Sequence, residues 1–300
     1  MSEIITVTGT VEEIIYSNPD NGYSVVGIDS VEEGQFTATG YMPFITEGES
    51  VALSGNWTTH PDYGEQFKAE YYETVIIPAY NEEENIVRVV DNLINNYGQL
   101  DYVVINDGSR DNTAKLCREH GYNLVDLPVN LGLAGAFQAG MKYALANDYD
   151  YAIQFDGDGQ HNPQFIEGME QMAEKDNLDI VIGSRFASEK KPFTARMLGS
   201  RLIEFCILVT CHKRIKDPTS GMRMFNRRMI HKLATSMNFG PEPDTVAYLT
   251  RCGAKVGEYQ VEMNDRIAGE SYLNPINSMK YMFNMTTSIL FVQWFRKRGL

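Results

Sequence analysis

Tyr151-Ala152-Ile153-Gln154-Phe155-Asp156-Gly157-Asp158-Gly159-Gln160 is the stretch on which the reading of this 300-residue chain turns. Its first five residues form an apolar run that predicts a short buried strand. Two carboxylates one residue apart at the mouth of a strand make a poor core and a good cation site. The glycines between and after them let the backbone turn sharply enough for both side chains to face one point. Hard oxygen ligands of this kind suit Mg²⁺ or Mn²⁺, which keep some waters and bind substrate phosphates as well. Taken alone, the same residues also read as a solvated Asp-Gly turn. The rest of the chain separates the two readings.

Working outward, Val75-Ile76-Ile77-Pro78 predicts a buried strand ending at a proline, followed by a helix from Glu82 to Tyr97. Tyr102-Val103-Val104-Ile105 predicts another, ending at Asn106-Asp107-Gly108-Ser109 with a helix from about Asp111, and Ile180-Val181-Ile182 runs into Gly183-Ser184-Arg185. Strands alternating with helices give an α/β fold with a mainly parallel sheet, whose ligands bind beyond the carboxyl ends of the strands. All four polar motifs fall at that edge.

The first 73 residues follow another pattern. Short period-two runs (Ile4 to Val11, Tyr23 to Ile28, Gln35 to Gly40, Ser50 to Gly55, Gln66 to Tyr72) are punctuated by turn sequences such as Asn18-Pro19-Asp20-Asn21-Gly22. Five short strands in so small a unit predict a closed or partly open barrel. Charge breaks at the same place. Through Glu73 there are thirteen acids against one base, Lys68, a net of -12, whereas the remainder carries a net of only -2. The expected organisation is therefore a small acidic OB-like β-barrel at 1–73, an α/β domain at 74–270 and an amphipathic helical segment at 271–300, with almost no linker at the first join.

Pro78-Ala79-Tyr80-Asn81-Glu82, Asn106-Asp107-Gly108-Ser109-Arg110-Asp111, Asn130-Leu131-Gly132, Asp156 to His161 and Asp217-Pro218-Thr219-Ser220-Gly221 together resemble glycosyltransferase family 2 over about residues 74–270. The subgroup they are most similar to is the dolichyl- or polyprenyl-phosphate mannose and glucose synthases. The resemblance implies a GT-A nucleotide-sugar-binding fold and an inverting transfer from a nucleotide-sugar donor. It further implies that Pro78, Ala79, Tyr80, Glu82, Asp107, Asp156 and Gly157 bind the nucleotide. Asp156, Asp158 and Gln160 would hold Mg²⁺ or Mn²⁺ on the diphosphate, with Asp158 counted among the catalytic residues, and Arg185 and Arg266 would meet donor or acceptor phosphates. Bland alternatives stand beside these: Glu82 as a helix N-terminal acid, Asp107 as a turn or capping residue, and either arginine in a surface ion pair.

Glu242-Pro243-Asp244 resembles the family's late acidic motif, with Asp244 the first candidate for a general base and Glu242 the second; it is also a good helix start. A base is needed if the acceptor is a sugar hydroxyl of a growing cell-surface polysaccharide, and not if it is a polyprenyl phosphate. The phosphate is the favoured acceptor, because two segments read as membrane-surface elements. Phe193 to Ile215 mixes apolar residues with Arg196, Arg201, Lys213 and Arg214, and the run from Tyr281 to Phe295 ends in Arg296-Lys297-Arg298. Aromatics beside basic residues suit an anionic interface; the alternative for the second segment is a helix packed in the core or against another copy of the chain.

No apolar stretch reaches the ~20 residues of a membrane-spanning helix. Residues 1–15 lack the basic start and long apolar run of a signal peptide, so a peripheral enzyme on the cytoplasmic membrane face is expected. Cys117, Cys206, Cys211 and Cys252 show no metal-binding spacing and read as reduced thiols.

Residues 1–73 resemble the small N-terminal OB-like barrel of RecD-like helicases, through Thr8-Gly9-Thr10-Val11, Asn21-Gly22-Tyr23 and Thr59 to Phe67, and no P-loop follows. A nucleic-acid-binding module is the rival function of another class. The acidic charge opposes it, because Lys and Arg neutralising phosphates supply most such affinity. A fusion, natural or engineered, is the reading that fits the abrupt join.

Overall fold

The computed structural model describes the chain except residues 1–4, 19–22, 43–44, 62, 70–72, 98–99, 148, 237–238, 264–274, 292–294 and 296–300. It divides into two compact units, Met1–Tyr72 and Glu73–Leu300.

The first unit is a closed barrel of β1 (Ile5–Ser17), β2 (Tyr23–Ser30), β3 (Gly34–Tyr41), β4 (Ser50–His60) and β5 (Gly64–Ala69), in the order β1-β2-β3-β5-β4. Closure depends on β1, whose first half pairs with β4 and second half with β2, with register shifts between Val11 and Glu13 and between Ile14 and Tyr16. Irregularities of this type bend a strand and increase its twist, which lets one strand serve both neighbours. They also explain why β1 runs past the expected end at Val11: the shifts break the period-two pattern without ending the pairing. Val7, Val11, Val26, Ile28, Ala38 and Phe67 form the core, and Phe36 and Trp57 pack edge-on against each other and Phe67 at centroid separations of 5.1 to 5.9 Å. Edge-on packing is the arrangement ring quadrupoles favour.

The second unit is built on seven strands: β6 (Glu73–Ala79), β7 (Asp101–Asn106), β8 (Leu124–Asp126), β9 (Tyr151–Gln154), β10 (Ile180–Ser184), β11 (Arg223–Asn226) and β12 (Val256–Gln260), in the order β12-β10-β11-β9-β6-β7-β8. All pairings are parallel except those of β11, which runs antiparallel to both β9 and β10. The carboxyl ends of β6, β7, β9 and β10 therefore share one edge, and β11 begins at that edge. The eight helices described are α1 (Ile86–Asn96), α2 (Thr113–Glu119), α3 (Gly132–Ala146), α4 (Ile166–Lys175), α5 (Ala195–Cys211), α6 (Arg227–Thr235), α7 (Pro243–Arg251) and α8 (Pro275–Leu290). The main core joins Ile76, Ile105, Ala152, Ile182 and Phe225 of the sheet to Phe137 and Met141 of α3, Ile230 of α6, Ile203 and Ile207 of α5, Val246 of α7 and Ile289 of α8. This is the α/β architecture expected from the alternation of strands and helices, of the GT-A-like kind that the family resemblance implies, preceded by the expected barrel.

Two helix starts differ from expectation. α1 begins at Ile86 and not at Glu82, because residues 81–85 turn to bond the neighbouring loop. α2 begins at Thr113, because Asp111 Oδ1 accepts from the Thr113 backbone N–H at 3.0 Å and its hydroxyl at 2.6 Å, holding a turn before the helix. Among the described residues no helix is long and apolar enough to cross a membrane.

Candidate active site

The loops after β6 and β7 are stitched to each other. Asn81, held at a φ of 57°, donates its backbone N–H to Ser109 Oγ at 2.9 Å and accepts from Arg110 N through Oδ1 at 2.9 Å. Glu83 N donates to Asp111 Oδ2 at 3.1 Å, and Glu83 Oε2 accepts from Asn112 Nδ2 at 2.8 Å. Asn tolerates the left-handed conformation that this turn requires. The result is a braced ledge carrying Pro78, Ala79, the exposed Tyr80, Glu82 and Asp107. Glu82 Oε2 accepts from Asn85 Nδ2 at 2.8 Å, and buried Asp107 accepts from Leu131 N through Oδ1 at 2.7 Å, tying residues 130–131 to the strand end. Asp107 thus ties the loop before α3 to the end of β7, at the position where nucleotide contact is expected.

The acidic loop follows β9. Asp156 is half-buried, Asp158 is buried, and Asp158 Oδ1 accepts from the Gln160 backbone N–H at 3.0 Å. His161 is buried beneath the loop, its Nδ1 accepting from Asp156 N at 2.9 Å. Behind the loop, Arg88, Asn92, Phe155, Asn162 and His161 line a polar cleft.

Among the described residues no three His, Cys, Asp or Glu side chains form a metal cage. Asp156, Asp158 and Gln160, close together in this one loop, carry hard carboxylate and amide oxygens of the kind that suit an ion also bound by water and substrate phosphate. The fold keeps room for it: a Cβ at Gly221 would lie 2.5 Å from Asp156 Oδ2, so a side chain there would fill the space against the carboxylate. The residues present fit a divalent ion.

Asp217 is fully buried and takes Arg185 in a two-pronged pair, Nε to Oδ2 at 2.7 Å and Nη2 to Oδ1 at 2.8 Å. Glu258 accepts from the backbone N–H groups of Lys216 and Asp217 at 2.7 and 2.8 Å, fixing the loop that carries Asp217. Arg185 is therefore ion-paired, with a buried carboxylate and not at the surface, and Nη1 is the guanidinium nitrogen these bonds leave unused. Arg266 lies outside the described residues.

Glu242 is the N-cap of α7 and makes no capping bond through its side chain. Burial, then the neighbouring Asp244 charge, push its carboxyl above the ordinary range, and Arg223 opposes the shift. Asp244 is buried and accepts from Ser288 Oγ of α8 at 2.6 Å. Asp244 is thus buried against α8, while Glu242 keeps more of its surface.

The sequence reading missed Arg223 and gave no role to His161. Arg223 is 1% exposed at the first position of β11, with Nη2 donating to Pro218 O at 2.9 Å. Burial pushes its guanidinium down, while Tyr281, Asp156, Asp217 and Glu242 counter it. An arginine one residue after Gly221-Met222 carries no signal until the strand it opens is placed antiparallel between β9 and β10.

The model of glycosyl transferase family 2 matches residues 74–234, and that of the OB-fold domain of the ATP-dependent DNA helicase YrrC matches residues 4–77. An uncharacterized protein of Methanocaldococcus jannaschii is 30% identical over 210 residues, which cover 66% of this chain and 90% of that protein. The UDP-N-acetylglucosamine–dolichyl-phosphate N-acetylglucosaminyltransferase of Methanococcus voltae is 32% identical over 185 residues, covering 54% of this chain and 72% of its own. Among solved structures, glucosyl-3-phosphoglycerate synthase from Mycobacterium tuberculosis, in complex with Mn²⁺ and UDP-glucose, shares the fold with a TM-score of 0.53 at 19% identity, over 77% of this chain and 82% of that one.

Proposed function

Because this chain belongs to glycosyl transferase family 2, we propose that it moves a sugar from a nucleotide-sugar donor to a polyprenyl phosphate at a membrane surface, with inversion and with the help of a divalent ion. The observation that carries this reading is the gathering of Ala79, Asp107, Asp156, Asp158 and Arg185 at the carboxyl edge of the parallel strands of one sheet. The dolichyl-phosphate acceptor named for the Methanococcus voltae relative supports the lipid side of it.

In this reading the β6 and β7 loop ledge receives the base and ribose, and the acidic loop receives the diphosphate. Asp156, Asp158 and Gln160 would hold Mg²⁺ or Mn²⁺, which supplies neutralisation of the charge that grows on the departing diphosphate. An oxygen of the acceptor phosphate bonds to the anomeric carbon as the bond from that carbon to the diphosphate oxygen breaks, the electron pair leaving with the nucleotide. A phosphate monoester has a second pKa of about 6, so part of the acceptor carries a proton near neutrality. Glu242, with its raised carboxyl, is suited to take that proton; the transfer then depends on it less than attack by a sugar hydroxyl would.

The acceptor side draws support from α5 and α8, which pack against each other. Leu198, Leu202, Phe205 and Val209 are exposed along α5, Phe193 precedes it at 82% exposure with the Arg201 guanidinium over its ring, and Phe283 of α8 is 69% exposed. Large apolar side chains clustered with arginine suit an anionic bilayer surface, and a peripheral, cytoplasmic-face location follows from that reading.

The test is a panel of UDP-glucose, UDP-N-acetylglucosamine and GDP-mannose, each offered with polyprenyl phosphate in detergent or with soluble sugar acceptors. Labelled sugar should pass into the organic-extractable lipid. Transfer to a soluble glycan alone would decide for a polysaccharide-extending enzyme. For the barrel, the OB-fold match keeps single-stranded nucleic-acid binding as a second reading, and its acidic charge argues that a titration with labelled single-stranded DNA will show none.

A further inference from the structure

We propose that Asn85 and Arg88 are positioning residues that couple the nucleotide ledge to the acidic loop, so that a base and ribose on the ledge strengthen the loop's hold on the divalent ion. The inference rests on the reading of the ledge as the nucleoside site and of the acidic loop as the metal site.

A continuous set of side-chain contacts joins the two. Asn85 is buried at the N-cap of α1, and its amide serves both directions. Nδ2 donates to Glu82 Oε2 at 2.8 Å, and Oδ1 accepts from Arg88 Nη2 at 3.2 Å. The same nitrogen of Arg88 reaches the main-chain oxygen of Asp158 at 3.5 Å. That last bond is long, and packing reinforces it: a Cβ at Gly159 would lie 2.6 Å from Nη2 and 3.0 Å from Nη1, so the guanidinium rests against the loop at this glycine. Ledge and loop also meet directly. A Cβ at Gly157 would lie 3.3 Å from Pro78 O and 3.7 Å from Glu82 Cγ.

Local stability does not account for these contacts. An asparagine at an N-cap ordinarily accepts from a backbone N–H of the first turn. Asn85 makes no such bond and gives its oxygen to the Arg88 side chain instead. Arg88 itself is exposed, where ordering a long charged side chain gains a fold little. The acid at helical ion-pair spacing from it, Asp91, is engaged by the Tyr122 hydroxyl at 2.5 Å. What the contacts do is fix Glu82 and the Asp158 main chain relative to each other. A ligand that holds Glu82 thereby helps to hold the loop, and preorganisation of this kind lowers the cost of the second binding step. The coupling is reciprocal by linkage.

Uridine and guanosine are the probes, because a nucleoside has a base and ribose but no phosphate to touch the ion. Mn²⁺ binding to the full chain is followed through the electron paramagnetic resonance signal of the free ion, with and without nucleoside, in wild type, Arg88→Met and Asn85→Asp. One of the nucleosides should lower the wild-type Mn²⁺ dissociation constant by about 5-fold, the lower end of ordinary coupling. Arg88→Met keeps the stem without the guanidinium. Asn85→Asp keeps the shape and the acceptor for Arg88 but has no donor for Glu82. Each should reduce the factor to below about 2-fold.

A merely structural role would weaken Mn²⁺ binding equally with and without nucleoside and leave the factor unchanged in the variants, which would overturn the proposal. Wild-type Mn²⁺ affinity that neither nucleoside alters would overturn it as well. Arg88 is exposed, so Arg88→Met decides the matter even if Asn85→Asp does not fold. Failure of the parent reading looks different: the wild type would then bind neither UDP nor GDP in the presence of Mn²⁺.

Discussion

The backbone N–H of Asp156 donates to Nδ1 of His161 at 2.9 Å, and Nε2 of the same ring lies 3.5 Å from Asp156 Oδ2. With Nδ1 accepting, the neutral imidazole carries its proton on Nε2, facing the carboxylate. One ring therefore stands against both the backbone and the side chain of the first acid in the loop proposed to hold the metal, as partners behind a metal ligand commonly do. Phe155 packs edge-on to it at 5.3 Å, which keeps the ring in place.

Replacing His161 by Ala should accordingly raise the Mg²⁺ or Mn²⁺ concentration needed for half-maximal transfer by about 10- to 100-fold, the usual cost of losing such a supporting partner. Activity at saturating metal should recover substantially. A metal titration of both proteins checks this; an unchanged midpoint would mean that the ring merely fills space.

Asp158→Ala and chelation by EDTA should each reduce transfer about 10²-fold or more, since a divalent ion stabilising a leaving diphosphate supplies several kcal/mol. Mg²⁺ or Mn²⁺ should restore the chelated wild type and not the variant. Full activity of both in EDTA would remove the metal from the proposed function.

Glu242 gives a pH signature. Its carboxyl sits above its ordinary 4.5 in the folded chain, burial being the largest cause. A group raised in this way contributes stability that is complete below its unfolded value and is lost as pH rises through its folded value. Glu242→Gln is neutral throughout, so its Tm relative to wild type should improve between about pH 4 and pH 7. The acid limb of the rate profile should also lie above that of an ordinary glutamate and vanish in the variant. Asp244→Asn, whose side chain still accepts from Ser288, should change the rate far less than the ~10²–10⁴-fold of a lost general base.

Asp217→Ala leaves Arg185 without its two-pronged partner and strips the polar floor beneath it. Breaking one side of a buried pair costs about 3–5 kcal/mol. For a unit of this size that corresponds to a fall in Tm of roughly 6–20 °C. Thermal unfolding measures it; a shift below about 2 °C would show that the pair is not a major support.

Binding to the bilayer should depend on the exposed aromatics. Phe205→Ser with Phe283→Ser should reduce cosedimentation with vesicles containing anionic lipid, while leaving nucleotide release from the donor near wild-type. Equal sedimentation would remove α5 and α8 from the acceptor reading.

Much of this was legible in the residues. The apolar runs at 75–78, 102–105 and 151–154 each became a buried strand, because short runs rich in branched and aromatic residues between polar loops are best covered in the middle of a sheet. Asp156 and Asp158, Asp107, Glu82 and Arg185 all fall on the strand-end edge for the same reason. Residues 81–85 were less readable: their helical pattern yielded to bonds with a loop almost thirty residues away. The start of α7 at Pro243 is local chemistry, and the covering of Asp244 by Ser288 is not.

Period, turn residues and charge, which depend on near neighbours in the chain, determined by themselves a barrel followed by an α/β unit, and a row of acids at the ends of parallel strands. The direction of β11 was decided only in the tertiary structure, because strand direction in a sheet is set by partners distant in sequence. That direction brings Arg223 to the edge where Asp156 lies, as the packing of α8 buries Asp244 and the burial of Asp217 draws Arg185 inward. Each is an outcome of long-range desolvation and pairing, and those energies do not exist until the chain has closed on itself.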